Sequence, residues 1–110
     1  MKEEKLKNSF IIQVLRRASF KWKPRYEAIK NARVSRGQYR CSMCFSACFK
    51  VKEIVVDHIN PVVDPSTGWK SWDDYITRMF CGTSGFQVLC RPCHNLKTIK
   101  ENLQRTKKSN

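Results

Sequence analysis

The sequence predicts an α+β domain in which two strands and a helix form a core, held by a structural zinc ion and covered by N-terminal helices. One observation is the pair of Cys-x-x-Cys motifs, Cys41/Cys44 and Cys90/Cys93, because two such pairs supply four thiolates for tetrahedral Zn²⁺. The other is a change of apolar spacing, from helical before residue 40 to alternating after residue 50. A chain of 110 residues forms one domain, residues 1–110.

The N-terminal region is predicted to be helical. A first amphipathic helix is indicated by apolar residues three and four positions apart, namely Leu6, Phe10, Ile11, Val14 and Leu15. Pro24 suits the first turn of a second helix, which we expect to extend to about Val34 and to be ended by Ser35-Arg36-Gly37. Phe20 and Trp22 lie among basic residues, and each of them either contacts nucleic acid or packs on the domain.

The rest of the chain alternates predicted strands, turns and helices. Residues 50–57 are alternating and β-branched, which predicts a strand. Ser71, with two aspartates behind it, is typical of a helix N-terminus, and this helix is expected to end near Phe80. The other predicted elements are turns at Asn60-Pro61, Asp64–Gly68 and Thr83–Gly85, a strand at Phe86–Leu89 and a last helix from Pro92 to about Leu103.

The positive charge of the chain is concentrated at its two ends. The net charge is +13, with 12 basic and three acidic residues in positions 1–40 and five and one in positions 94–110. Such arms favour nucleic acid as the partner over a merely solvated surface. We therefore expect a basic helical region at 1–40, a zinc-stabilised core at 41–102 and a basic tail at 103–110. The predicted nucleic-acid contacts are Arg16, Arg17, Lys21, Lys23, Arg25, Lys97 and Lys100.

Several classes of protein are not expected. The sequence has no run of about 18 apolar residues, so no membrane span is predicted. Residues 1–5 lack the apolar segment of a signal peptide, and a cytoplasmic location is expected. In such a compartment the six cysteines stay reduced, which favours metal binding over disulfides.

Two cysteines stand outside the Cys-x-x-Cys pairs. Cys48 is an alternative ligand in place of Cys41 or Cys44, and otherwise Cys48 and Cys81 are expected to be small apolar core residues. The two histidines are His58, which follows Asp57 at the end of a predicted strand, and His94, which follows Cys93. Adjacent residues of a helix point about 100° apart, so His94 would face a second site when Cys93 faces the zinc.

Asp57, the two histidines and the second cysteine pair lie in two stretches. These are Val55-Val56-Asp57-His58-Ile59-Asn60-Pro61 and Gln87-Val88-Leu89-Cys90-Arg91-Pro92-Cys93-His94-Asn95-Leu96-Lys97-Thr98. In both stretches the chain resembles the HNH endonucleases, the ββα-metal or His-Me finger family. It is most similar to small phage members with four zinc cysteines. Residues 22–28 and 68–81 are also similar to that subset, so the resemblance covers roughly residues 20–102.

The resemblance implies a ββα-metal core and a metal-dependent hydrolase that nicks or cleaves DNA. By this resemblance His58 is the general base that takes a proton from water, and Asp57 and His94 hold one Mg²⁺ or Mn²⁺ ion. The implied substrate is duplex DNA, with little sequence specificity and with 5′-phosphate and 3′-hydroxyl products. A phage origin would place the protein in the bacterial cytoplasm, with packaging or recombination partners.

The chain departs from the family at one position, because Gly85 stands where the middle Asn of the motif is expected. That Asn braces the loop of the base, which a glycine cannot do with a side chain. A tight turn with positive φ at Gly85 is the simple alternative, and Ser84, Thr83 and Asn60 are candidate substitutes. The alternative function is a non-catalytic zinc module that binds nucleic acid, which needs neither histidine.

Overall fold

The computed structural model describes residues 2–47 and 49–109, with side chains up to Thr106. Within these residues the protein is a mixed α+β structure with four helices and two antiparallel sheets of two strands each. In chain order the elements are α1 (Lys2–Ser19), α2 (Lys23–Ala32), β1 (Arg33–Ser35), β2 (Gln38–Tyr39), β3 (Ile54–His58), α3 (Trp72–Met79), β4 (Phe86–Cys90) and α4 (Arg91–Ser109).

The antiparallel pair β3 and β4 forms the centre of the molecule. Its register places Asp57 opposite Gln87 and His58 opposite Phe86. Because successive side chains of a strand point to opposite faces, Asp57 and His58 lie on different faces of this sheet. The central residues of β4 are its most buried part, with Leu89 fully buried.

Helices cover both faces of the β3–β4 sheet. The α4 side chains His94 and Lys97 lie within 4 Å of the Asp57 carboxylate. This helix therefore lies over the face that carries Asp57. From α2 comes Arg25, whose guanidinium lies over the ring of Phe86, so α2 lies over the face that carries His58. The sheet therefore presents Asp57 and His58 to different helical layers.

The N-terminal helices differ from the prediction in their bounds. The first helix is longer than expected, and the side chains of its first turns are exposed. The second helix ends at Ala32, so the prediction that it reaches Val34 is wrong. Val34 instead lies in a hairpin that turns at Arg36 and Gly37, where Gly37 has φ +72°. Val34 is β-branched, which favours a strand over a helix, and Gly37 suits the turn that follows.

The middle of the chain follows the prediction with one shift. Residues Val51–Glu53 form a 3₁₀ turn, and the strand begins only at Ile54. The Glu53 carboxylate accepts a hydrogen bond of 2.8 Å from the Lys50 N–H, which stabilises the turn against an extended chain. The helix predicted after Ser71 is confirmed, since the Ser71 hydroxyl accepts from the Asp74 N–H at 3.1 Å.

The last helix is longer than predicted. It begins at Arg91, directly after β4, and continues to Ser109, so helix replaces the tail expected at residues 103–109. Among the described residues, no helix is long and apolar enough to cross a membrane.

Candidate functional site

The four cysteines of the two Cys-x-x-Cys motifs meet in one cluster. Cys41 and Cys44 come from the loop after β2, Cys90 ends β4, and Cys93 lies in the first turn of α4. Their four sulfur atoms all lie within 4.8 Å of one another. Four thiolates about 2.3 Å from one Zn²⁺ ion lie about 3.8 Å apart along a tetrahedron edge. The distance of 3.9 Å between Sγ of Cys44 and Sγ of Cys90 fits this geometry.

The electrostatics of the cluster also fit a dication. Burial raises the pKa of Cys41, but hydrogen bonds from the backbone of Cys44, Cys90 and Met43 outweigh burial and lower the pKa to about 6. A hydrogen bond with the Cys90 thiol, together with burial, raises the pKa of Cys93 to about 12. The thiolate of Cys41 therefore forms readily while the thiol of Cys93 keeps its proton, and a bound dication would stabilise the thiolate form of all four ligands.

Of the remaining cysteines, Cys48 lies outside the described residues. Its predicted roles, as a zinc ligand or as a core residue, therefore stay predictions. Cys81 is partly buried, and its Sγ lies beside Gly85 in the 3₁₀ turn Thr83–Gly85. Its carbonyl accepts a 2.6 Å hydrogen bond from the indole of Trp22, whose ring also meets Phe80 edge-on at 5.6 Å. Trp22 thus packs on the domain, whereas Phe20 is 63% exposed.

His58 ends β3, and its ring is held on both sides. The ring Nε2 lies 2.9 Å from the carbonyl oxygen of Met79, the last residue of α3. The ring centroid lies 4.7 Å from that of Phe86, its partner across the sheet. Burial lowers the pKa of His58 and outweighs the hydrogen bond with Met79 and the charge of Asp57, which raise it, while the positive charges of Arg25 and Lys97 lower it further. A neutral imidazole at neutral pH follows from this surrounding.

Asp57 and His94 come together from β3 and α4. Their closest atoms, Oδ1 of Asp57 and Nε2 of His94, are 3.7 Å apart. Two ligands about 2.1 Å from the same ion are about 3.0 Å apart at a right angle and at most about 4.2 Å apart. The observed separation of these two atoms lies inside this range.

The second carboxylate oxygen of Asp57 is engaged elsewhere. The Lys97 ammonium lies 3.1 Å from Oδ2, and the Gln87 amide donates to the same oxygen at 3.0 Å. Lys97 also bonds the carbonyl oxygen of His58 at 3.1 Å and Glu101 at 2.7 Å. Although burial lowers the pKa of Lys97, the carboxylates of Glu101 and Asp57 raise it overall. Lys97, predicted as a phosphate contact, is thus directed inward.

Gly85, at the position of the missing Asn, lies in the 3₁₀ turn Thr83–Gly85, so the expected tight turn is present. Gly85 does not have positive φ, and that part of the expectation is wrong. Gly37 and Gly68 are the described glycines with positive φ. The Gly85 carbonyl accepts a 3.0 Å hydrogen bond from the N–H of Ile59, the residue after His58. The backbone of Gly85 therefore braces the loop of the candidate base, while the predicted substitute Thr83 donates instead to Glu27 at 2.6 Å.

A glycine is needed at position 85 because Cys81 is close. A Cβ atom at Gly85 would lie 2.5 Å from the Cys81 Sγ and 3.0 Å from its Cβ. We expect Gly85→Ala to lower the free energy of unfolding by about 1–3 kcal/mol, as overpacking does, measured by urea denaturation. Gly82→Ala is the matched control, since a Cβ at Gly82 meets nothing within 4 Å. Equal stability of the two variants would contradict this explanation.

Besides Lys97, the predicted nucleic-acid contacts differ in their exposure. Arg16, Arg17, Lys21 and Lys23 are exposed around the end of α1 and the start of α2, and Lys100 is exposed on α4. Arg25 is half-buried, with its guanidinium over the rings of Phe20 and Phe86 at 5.1 and 5.5 Å. The exposed residues Arg16, Arg17, Lys21 and Lys23 are called the basic surface below, and binding of nucleic acid by any of the predicted residues stays a prediction.

Sequence reasoning missed three residues of this site. Gln87 was missed as a partner of Asp57, although an antiparallel pairing of the two strands places them opposite one another. Glu101 follows Lys97 by four residues, a spacing that indicates an ion pair on a helix. Arg78 holds the loop after β3 by a 2.9 Å hydrogen bond to the Pro61 carbonyl, a contact for which the sequence gives no signal.

Comparisons of the chain with protein-family models, with curated proteins and with solved structures found no match. The resemblance to HNH endonucleases is therefore carried by the motif residues of this chain alone.

Proposed function

We propose that this protein is a metal-dependent DNA endonuclease of the HNH type, with β3, β4 and α4 as its ββα-metal core and His58 as its general base. The observation that supports this most is the 2.9 Å contact between Nε2 of His58 and the Met79 carbonyl. A carbonyl oxygen can only accept a hydrogen bond, so Nε2 carries the proton of a neutral ring. Nδ1 then keeps its lone pair and can take a proton from water.

The reaction that follows is hydrolysis of a phosphodiester bond. His58 Nδ1 removes a proton from a water molecule, whose oxygen forms a bond to phosphorus. The bond from phosphorus to the 3′ oxygen breaks, and that oxygen takes a proton from solvent. The products carry a 5′-phosphate and a 3′-hydroxyl. The lowered pKa of His58 supports this role, because the base must be neutral before it acts.

Asp57 and His94 would hold the Mg²⁺ or Mn²⁺ ion of this reaction. The ion would neutralise negative charge on the phosphate and on the leaving oxygen. The two donors to Oδ2, Lys97 and Gln87, keep the carboxylate turned so that Oδ1 faces His94. Cys93 of the cysteine cluster directly precedes His94 in α4. A structural zinc ion bound by Cys93 would therefore fix the position of His94.

Two observations favour the alternative, a zinc module that binds nucleic acid without cleaving it. Asp57 and His58 lie on different faces of the β3–β4 sheet, so the candidate ion and the candidate base are not presented from one face. The Lys97 ammonium already neutralises the charge of Asp57, which weakens the attraction of the site for a second cation. Such a module would use the same cysteines and the same basic surface, and would depend on neither histidine.

Conversion of supercoiled plasmid to the nicked form separates the two functions. We expect nicking by the zinc-loaded protein in Mg²⁺ or Mn²⁺ and none in EDTA, with zinc content measured after each incubation. His94→Ala is expected to need at least about 10-fold more Mn²⁺ for the same rate, since it removes a metal ligand. Asn95→Ala, at an exposed neighbouring position of α4, is the matched control and should behave as the wild type.

The contrary result is also distinct. If the wild type and His94→Ala both keep zinc and bind plasmid but neither nicks it in any metal, the binding module is the better description.

A further inference from the structure

Phe20 is an aromatic side chain that the fold holds at the surface. It lies between α1 and α2 and is 63% exposed. The Arg25 guanidinium lies over its ring, 5.1 Å from the centroid, and the Tyr26 hydroxyl donates a 3.3 Å hydrogen bond to its carbonyl oxygen. One ring face is thus covered by a cation, while the exposure of the side chain leaves the other face open to a planar ligand.

Phe20 also lines a basic groove. The groove has a volume of about 380 Å³ and is lined by Gln13, Arg16, Arg17 and Phe20. Arg16 and Arg17 belong to the last turns of α1, and Lys21 follows in the connection to α2. An aromatic ring next to several cations has the two features that proteins use to bind single-stranded nucleic acid, a stacking surface and a partner for phosphates.

Phe20 is also connected to the candidate base. Arg25 lies between the rings of Phe20 and Phe86, 5.5 Å from the latter, and Phe86 lies 4.7 Å from the His58 ring. At the rise of roughly 3.4 Å per nucleotide of a stacked strand, about five nucleotides span this series of contacts. The two rings are therefore separated by no more than the length of a few nucleotides.

We propose that Phe20 stacks on an unpaired base of the DNA substrate, with Arg16 and Arg17 holding the adjacent phosphates. The substrate class is then duplex DNA that carries a single-stranded stretch within a few nucleotides of the scissile bond. A fully paired base has both of its faces covered by its neighbours and offers none to Phe20, whereas an unpaired base offers a free face. This proposal rests on the DNA-directed function proposed above.

Binding without catalysis tests the proposal independently of nuclease activity. Fluorescence anisotropy of zinc-loaded protein, without added Mg²⁺ or Mn²⁺, would compare a blunt duplex with the same duplex bearing a thymidine overhang. The wild type should bind the overhang duplex more tightly. Phe20→Ala should lower that affinity by roughly 5- to 150-fold, the loss of one base stacked on an aromatic ring, and leave the blunt duplex unchanged. Phe20→Trp should keep the preference.

The matched control is Phe10→Ala, which removes the same side chain at nearly the same exposure, 65%, from an earlier turn of α1. It should change neither affinity. The proposal is overturned if the wild type does not prefer the overhang, or if Phe20→Ala weakens both duplexes equally or neither of them. A protein that shows the predicted preference but nicks no DNA would overturn the proposed nuclease function and leave this binding surface established.

Discussion

Replacing His58 with alanine is expected to slow plasmid nicking by about 10²- to 10⁴-fold, the range that a positioned general base contributes. The affinity for DNA should stay the same, because His58 is not among the basic residues of the surface. The rate would be measured from the loss of supercoiled plasmid at saturating Mg²⁺, and the affinity by anisotropy without it.

The metal dependence of the variants distinguishes a base from a metal ligand. Raising the Mn²⁺ concentration should restore nicking by His94→Ala, whose defect is metal affinity, and should not restore His58→Ala. Nicking by His58→Ala at the wild-type rate, with zinc content unchanged, would exclude His58 as the base. A parallel loss of rate and DNA affinity would indicate a structural role instead.

The second large effect is expected at the cysteine cluster. We expect Cys90→Ser to abolish tight zinc binding and to leave the chain largely unfolded at room temperature. Structural zinc sites contribute about 10–16 kcal/mol of apparent binding free energy, which is as large as the net stability of about 5–15 kcal/mol of most domains. Zinc content by mass spectrometry and thermal unfolding followed by circular dichroism would measure both changes.

Cys81→Ser is the control for this variant. It replaces the same atom in a partly buried cysteine that lies outside the four-sulfur cluster, and it should keep both zinc and fold. If Cys90→Ser retained one zinc ion per chain and unfolded at the same temperature as the wild type, the cluster would not be a structural metal site.

The parts of the structure that the sequence predicted well depend on residues close together in the chain. The cysteine spacing predicted all four members of the cluster, because each Cys-x-x-Cys pair lies within four consecutive residues. Ser71 marked the start of α3 for the same reason, since its hydroxyl bonds an N–H three residues away. The α+β class followed from periodicity that extends over whole helices and strands.

Tertiary contacts decided the parts that the sequence did not predict. The direction of Lys97 depends on the position of Asp57, 40 residues earlier in the numbering, and a lysine on a basic helix predicts a solvent-facing charge. The need for glycine at position 85 comes from the Sγ of Cys81, which touches it only after the chain has turned. Residues 33–35 pair with β2 in a hairpin instead of extending α2. This pairing with a later part of the chain is not visible in the local sequence.

The exposure of α1 has a consequence for the timing of local motions. Its side chains from Lys2 to Lys7 are all exposed, and Ser19 is its buried residue. A helix without tertiary contacts is only marginally stable in water, so its first turns open and close without the rest of the fold. The amide protons of α1 should thus exchange with solvent in order along the helix, fastest at its start and slowest beside Phe20, where the chain meets the domain.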